Sequence, residues 1–345
     1  MSNETDFQEK LQKGYNMLTS NLQELYNKDM DDRRQLEQIQ KDMAKCQVKD
    51  DSTKESSFDQ DKLRDTMQKL CVILSHDATK LTLACKPPRK PQDAIKMVDE
   101  MSNTLYRIVG FYYDIPLNGQ YMINTYRKAY KTFIDRLLRG AISLLVSFMD
   151  SDRAAACSSS SSSSFMLSTA ALWETCKSAS HLPANNQQAV AAEWKVLLET
   201  LDDVKNETND MVPRDGEMND DHDSGIAADE EDEDDMAMDM DVDPQVARQC
   251  VSLVGLTYLL FQKIQKRCTF SDSLLAQGKA VAEEVDVMVS KAYDLEPEEM
   301  VVVMQEYVNK VDSLIKVASN ASNQENDSVW FNMCATKLSA IIGST

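Results

Sequence analysis

Residues 63–81 read LRDTMQKLCVILSHDATKL. Leu63, Met67, Leu70, Leu74 and Leu81 recur at three- and four-residue steps or their sum, which lines them along one side of a helix. A half-buried strand would need alternation at every second residue. The stretch therefore predicts a helix, beginning at Ser57, where Ser57 and Gln60 have capping-box spacing, and stopping at Pro87-Pro88.

Working outward, the same periodicity recurs nearly everywhere. Upstream, Leu11, Leu18, Leu25 and Ile39 share one heptad position and Tyr15, Leu22, Leu36 and Met43 the other, with Asp29 and Asp32 interrupting the seam. An amphipathic seam of this length can pair with a second chain, but it more often faces its own bundle, and the intramolecular arrangement is the expectation. Downstream, a helix is predicted from Pro91 through Ile95, Val98, Met101, Leu105, Ile108 and Val109 to Tyr113, ending before Pro116. Another is predicted from near Asn118 to Met149. Met122, Tyr126, Phe133, Leu137, Leu144, Leu145 and Phe148 line its core side, and Arg127, Lys128, Lys131, Arg136 and Arg139 face outward. The seven serines Ser158–Ser164 lack bulk and helix preference, so 151–164 reads as a flexible connector. Helices then follow over Phe165–Ser180 and Pro183–Asn206, the second carrying Val190, Trp194, Leu197, Leu198, Leu201 and Val204 at helical spacing.

Composition agrees. Nine Gly and eight Pro in 345 residues are about half the usual share, too little turn punctuation for a many-stranded fold. The net charge of −20 is concentrated: residues 215–243 hold fifteen Asp or Glu and no Lys or Arg, leaving −5 for the other 316. Such a stretch has too little apolar area to offset the entropy of ordering, so 207–243 reads as a disordered tether. Order is expected to resume at Asp243-Pro244, an N-cap carboxylate before proline at the first helical position, with four helices over 244–267, 272–293, 297–319 and 325–342. The fold class is thus all-α: an N-terminal multi-helix bundle over 1–206, the tether, and a C-terminal helical bundle over 244–345.

A search for chemistry excludes more than it finds. The three histidines, His76, His181 and His222, stand apart in no HExxH or other catalytic spacing. Neither GxGxxG, GxxxxGK[ST] nor GxSxG occurs. Asp239, Asp241 and Asp243 resemble the start of a calcium loop, but position six needs glycine and holds Pro244, and position twelve needs Glu and holds Cys250. The eight cysteines, Cys46, Cys71, Cys85, Cys157, Cys176, Cys250, Cys268 and Cys334, form no C-x-x-C and read mostly as small core residues. No catalytic, cofactor or metal residue is assigned, and no enzymatic activity is expected. The longest apolar run, Val251–Phe261, is broken by Ser252, Gly255 and Thr257, so no membrane span is expected. With no secretory signal at the N-terminus, an intracellular protein is expected and the sequons at Asn3, Asn206, Asn320 and Asn326 are chance matches. Direct nucleic-acid binding is not expected, because the tether repels phosphate and the basic stripe is sparse. The acidic run Asp229, Glu230, Glu231, Asp232, Glu233, Asp234 and Asp235 is the one candidate contact, an electrostatic attractor for a basic protein surface. Met236, Met238, Met240 and Val242, interleaved with acids, strengthen that reading.

Several blocks are similar to the cyclin-D-interacting (GCIP, cyclin-D-binding) protein family. Ser75-His76-Asp77-Ala78-Thr79-Lys80-Leu81-Thr82-Leu83 resembles its S-x-x-A-T-x-L-T block, and Phe111-Tyr112-Tyr113-Asp114-Ile115-Pro116 its aromatic turn. Trp173, Cys176, Pro183, Asn186, the acidic interruption and Asp327-Ser328-Val329-Trp330 follow in the family's order, so the resemblance spans nearly the whole chain. It implies helical bundles related to those of adhesion scaffolds. It also implies a non-enzymatic regulator of cell cycle and transcription in cytoplasm and nucleus, sequestering cyclin or helix-loop-helix-type partners without a DNA-binding basic region. The seven-serine run and the interrupted N-terminal seam depart from the family, and a monomer is the expectation. The alternative is a structural adaptor at cytoskeletal or adhesion-type sites.

Overall fold

In the computed structural model, residues 2–45, 58–86, 90–116, 124–154, 164–212, 242–322 and 324–343 are described. They fold into ten α-helices and one short 3-10 turn: α1 Ser2–Lys45, α2 Gln60–Cys85, α3 Pro91–Tyr113, α4 Asn124–Ala154, α5 Ser164–Lys177, the turn Ser178–His181, α6 Asn186–Asp210, α7 Pro244–Arg267, α8 Asp272–Lys291, α9 Pro297–Ala321 and α10 Glu325–Ile342. No strand occurs among the described residues; the only extended pairing there is a single bridge between Cys268 and Ser322. The all-α expectation holds.

Two compact units divide the chain, 1–189 and 190–345. In the first, α1 packs against α3 and α4, α2 against α3 and α5, and α4 against α5. Phe7, Leu11, Leu18 and Leu25 of α1 are fully buried in that core, with Tyr15 and Leu22 partly buried against it. The N-terminal heptads up to Leu25 are therefore spent inside the bundle, as expected. Each such leucine contributes roughly 1.5–3 kcal/mol by leaving water. The side chains of Leu36, Ile39 and Met43 lie outside the described set, as does Met122. The buried face of α2 is the predicted one, Leu63, Met67, Leu70, Leu74 and Leu81. Its start is not: Asp59 is the N-cap, its Oδ1 accepting from the Lys62 amide at 2.9 Å, and Ser57 lies outside the described residues. A carboxylate does the same capping work as a hydroxyl and adds a favourable charge at the helix N-terminus.

Other boundaries shift for similar local reasons. Residues 151–154, expected in the connector, are the last turn of α4, while 155–163 and the expected start near Asn118 lie outside the described residues. Ser164, counted as the last of the serine run, opens α5.

The second unit differs more from expectation, because α6 belongs to it. Val190, Trp194, Leu198, Leu201 and Val204 share a core with α7, α8, α9 and α10. Periodicity identifies a helix's apolar stripe but not the stripe it meets, so grouping α6 with the N-terminal bundle misplaced the boundary. The expected tether is also structured at both ends. Helix α6 continues to Asp210, with Thr208 buried and its Oγ1 donating to the Lys205 carbonyl, and Val242 is buried again. Residues 213–241 lie outside the described set. As predicted, Asp243 caps α7, its Oδ1 accepting from the amides of Gln245 at 2.8 Å and Val246 at 3.1 Å ahead of Pro244.

Candidate functional site

Helices α2 and α5 run antiparallel, and a ladder of polar contacts fixes their register. Arg64 Nη2 and Gln68 Nε2 each lie 3.4 Å from a carbonyl just beyond α5, those of Ser180 and Ala179. Next, the Cys71 and Cys176 thiols meet. Higher up, Trp173 Nε1 donates to the Ser75 carbonyl at 3.3 Å, and the hydroxyls of Thr82 and Thr169 lie 2.8 Å apart. Each threonine hydroxyl also lies within reach of its own helix, at Ala78 and Phe165. A hydroxyl has one proton, so only one of the pair can donate across the seam at a time.

On the solvent side of this seam the two helices expose apolar side chains. Leu83 is 67% exposed, Met166 63%, Leu167 71% and Val72 58%, with His76, Ala170 and the edge of Trp173 between them. Val72, His76 and Leu83 fall at steps of four and seven on α2, and Met166, Ala170 and Trp173 at four and three on α5. Each set is one stripe of its helix, the two stripes flanking the same hydrogen-bonded seam. Single exposed hydrophobes are ordinary, but a cluster on one face marks an interaction surface. The rim is charged and paired: Lys69 with Asp65 at 2.5 Å, Lys177 with Glu174 at 2.6 Å, and Lys80 with Asp77 and Glu100 at 3.6 and 3.7 Å.

Sequence reading passed over this face. The signal was present in α5, whose Phe165-Met166-Leu167 start and Ala170-Ala171-Leu172-Trp173 centre are apolar on more sides than a surface helix needs. What it reads as core does include the inward side, where Phe148 stacks on Phe165 at 5.5 Å and Leu172 is fully buried.

The blocks that carry the family resemblance are brought together as scaffold. Ser75 and Thr82 meet Trp173 and Thr169 across the α2–α5 seam. At the far end of the bundle, Asn186 Oδ1 accepts from the Tyr126 amide at 3.1 Å, satisfying a donor in the first turn of α4. Tyr130 OH donates to the Pro183 carbonyl at 3.2 Å, and Arg127 Nε donates to the Tyr112 hydroxyl at 3.1 Å. Burial raises the Tyr126 and Tyr130 hydroxyls above the ordinary phenol value, so both stay neutral. In the second unit Asp327 is buried between Lys263 Nζ at 3.0 Å and Ser322 Oγ at 2.8 Å, which hold its carboxyl below the usual range.

His76 and His181 are exposed on their elements, and His222 and the run Asp229–Asp235 lie outside the described residues. Cys71, Cys85, Cys176, Cys250 and Cys334 are buried free thiols and Cys268 is half-buried. Burial pushes Cys250 up to about 12 and Cys268 and Cys334 up to about 11; Cys71 is raised by its hydrogen bond with Cys176 and by burial. Cys71, Cys250, Cys268 and Cys334 remain thiols at neutral pH, the form that neither attacks nor ligates well. Among the described residues no group of three or more His, Cys, Asp or Glu is placed to hold a metal ion, and no helix is long and apolar enough to cross a membrane. The exposed apolar stripes of α2 and α5 are suited to contact with another surface.

No curated protein matches the chain. Residues 66–214, less than half the chain, match the sequence profile of a family described as Grap2 and cyclin-D-interacting, N-terminal; the resemblance is borne out over that stretch, which holds the Ser75–Leu83 block, Phe111–Pro116 and Trp173–Asn186 but not Asp327–Trp330.

Proposed function

We propose that this chain is a non-enzymatic, protein-binding regulator of cell-cycle progression and transcription, acting in cytoplasm and nucleus on cyclin-type or helix-loop-helix-type partners. The observation that carries the reading is the apolar face of α2 and α5, every residue of which falls inside the stretch that matches the cyclin-D-interacting profile. A partner covering Leu83, Met166, Val72 and the Trp173 edge gains the transfer free energy of those side chains, and Trp and Met are common anchors at such interfaces. Sequestration needs no more than this: a regulator that occupies a partner's contact surface removes it from its other complexes.

The test is binding of a purified D-type cyclin to the full chain by biolayer interferometry. Leu83→Glu combined with Met166→Glu is expected to weaken it about tenfold or more, since each buries an unpaired carboxylate in the interface. Both positions are over 60% exposed, so the fold is retained, which circular dichroism checks. Undiminished affinity in the double variant would remove the face from the reading, and no binding by the wild type would remove the cyclin.

A further inference from the structure

The same face has a feature that bears on what covers it when no partner is present. Its charged rim is neutralised from within: Lys69 is held by Asp65, Lys177 by Glu174, and Lys80 by Asp77 and Glu100. A partner recognised by charge would need a rim of one sign, which this face does not offer. An identical copy has the opposite requirement, because a rim of one sign would repel itself. The unit carrying the face meets that requirement as a whole. Residues 1–189 hold 25 Lys and Arg against 24 Asp and Glu, whereas the rest of the chain carries the whole of the excess negative charge. The N-terminal heptad seam, the other route to self-pairing, is buried in its own bundle over Phe7–Leu25.

We infer that the α2–α5 face pairs with the α2–α5 face of a second copy of this chain, laying two antiparallel helix pairs against each other about a two-fold axis. In such an isologous contact the stripe Val72, His76 and Leu83 and the stripe Met166, Ala170 and Trp173 meet their own counterparts, so one apolar patch serves both sides. The exposed anchors are few, Val72, Leu83, Met166, Leu167 and Trp173, against the ~800 Å² per partner of a standard stable interface, which makes the pairing weak and reversible. The pairing stands on the face alone. Only its consequence, that self-association must be undone before the face can take another protein, rests on the proposed function.

Electrostatics gives the pairing a signature. Two copies of a chain of net charge −20 repel, and salt screens that repulsion, so self-association strengthens as salt rises. Sedimentation velocity of the full chain, from low to high micromolar and at low and high salt, reads this directly. The expected result is a dimer fraction that grows with concentration and with salt. It should be weakened about tenfold or more by Leu83→Glu or Met166→Glu, each of which places a carboxylate in an apolar contact. Tyr106→Glu, on the exposed side of α3, should leave it unchanged. A monomer under every condition overturns the inference, and so does a dimer indifferent to the face variants or one that weakens with salt. If the wild type is monomeric while the same variants abolish cyclin binding, self-pairing fails and the proposed function stands. If dimers form as expected but the cyclin does not bind, the reverse holds.

Discussion

Trp194 lies flat against Phe261, ring centroids 4.6 Å apart, because residue 278 across the α6–α8 contact has no side chain. A Cβ at Gly278 would sit 2.6 Å from Trp194 Cζ3, closer than carbon atoms approach, and 3.1 Å from Cη2. The indole cannot yield easily, since its Nε1 is held by the Phe261 carbonyl at 3.3 Å and the ring is fully buried. Gly278→Ala should therefore destabilise the second unit by about 1–3 kcal/mol despite the better helix propensity of alanine, read as a lower denaturation midpoint. Asp312 makes the opposite prediction. One of its carboxylate oxygens, Oδ1, is buried without a hydrogen-bond partner, and burial raises its pKa, with Lys316 opposing. A carboxyl whose folded pKa is raised costs stability above that pKa, and the cost fades as pH falls through it toward the unfolded value. Asp312→Asn should stabilise the protein at neutral pH and lose that advantage near pH 4, as paired thermal melts would record. Asp327 runs the other way: its lowered pKa contributes stability above the unfolded carboxylate value that is lost as pH falls through the folded one.

At the scale of elements, α6 decides where the second unit begins. Its stripe of Val190, Trp194, Leu198, Leu201 and Val204 completes the core otherwise built from α7 to α10. A fragment starting at 213 would leave Phe261 and Phe270 without Trp194 and expose their apolar surroundings. A 186–345 fragment is expected to melt cooperatively, and a 213–345 fragment to show a broad transition and bind hydrophobic dye. Equal cooperativity in the two would sink the assignment of α6. The cap on α7 is a smaller increment. Asp243→Ala removes the acceptor for two amides and should cost about 1 kcal/mol, within the usual 0.5–2, by chemical denaturation.

For the molecule as a whole, the distribution of charge matters more than its sum. Fifteen acids over 215–243 without a base set up a strong local potential, whereas residues 1–189 are nearly neutral. We propose that Asp229–Asp235 accelerates encounter with a basic partner surface without forming the lasting contact. The field is screened beyond about 8 Å at physiological ionic strength. Replacing Asp229–Asp235 by Ser and Asn should lower the association rate and flatten its salt dependence while dissociation changes little, measured by stopped flow at two salt concentrations. An unchanged association rate would leave the segment as a spacer.

The sequence by itself determined the helices. Leu63, Met67, Leu70, Leu74 and Leu81, or the Asp243-Pro244 start of α7, are local patterns, because periodicity and capping depend on residues within a turn or two. It also placed the N-terminal heptads inside the bundle. What it left open was which stripe meets which, since one amphipathic face looks much like another until the helices are docked. Only the tertiary structure assigned α6 to the second unit and left Leu83, Met166 and Leu167 in water while burying Leu81, Phe165 and Leu172 beside them. In the sequence these six are one apolar class; their division between core and candidate binding face depends on how much of α2 and α5 the neighbouring helices cover.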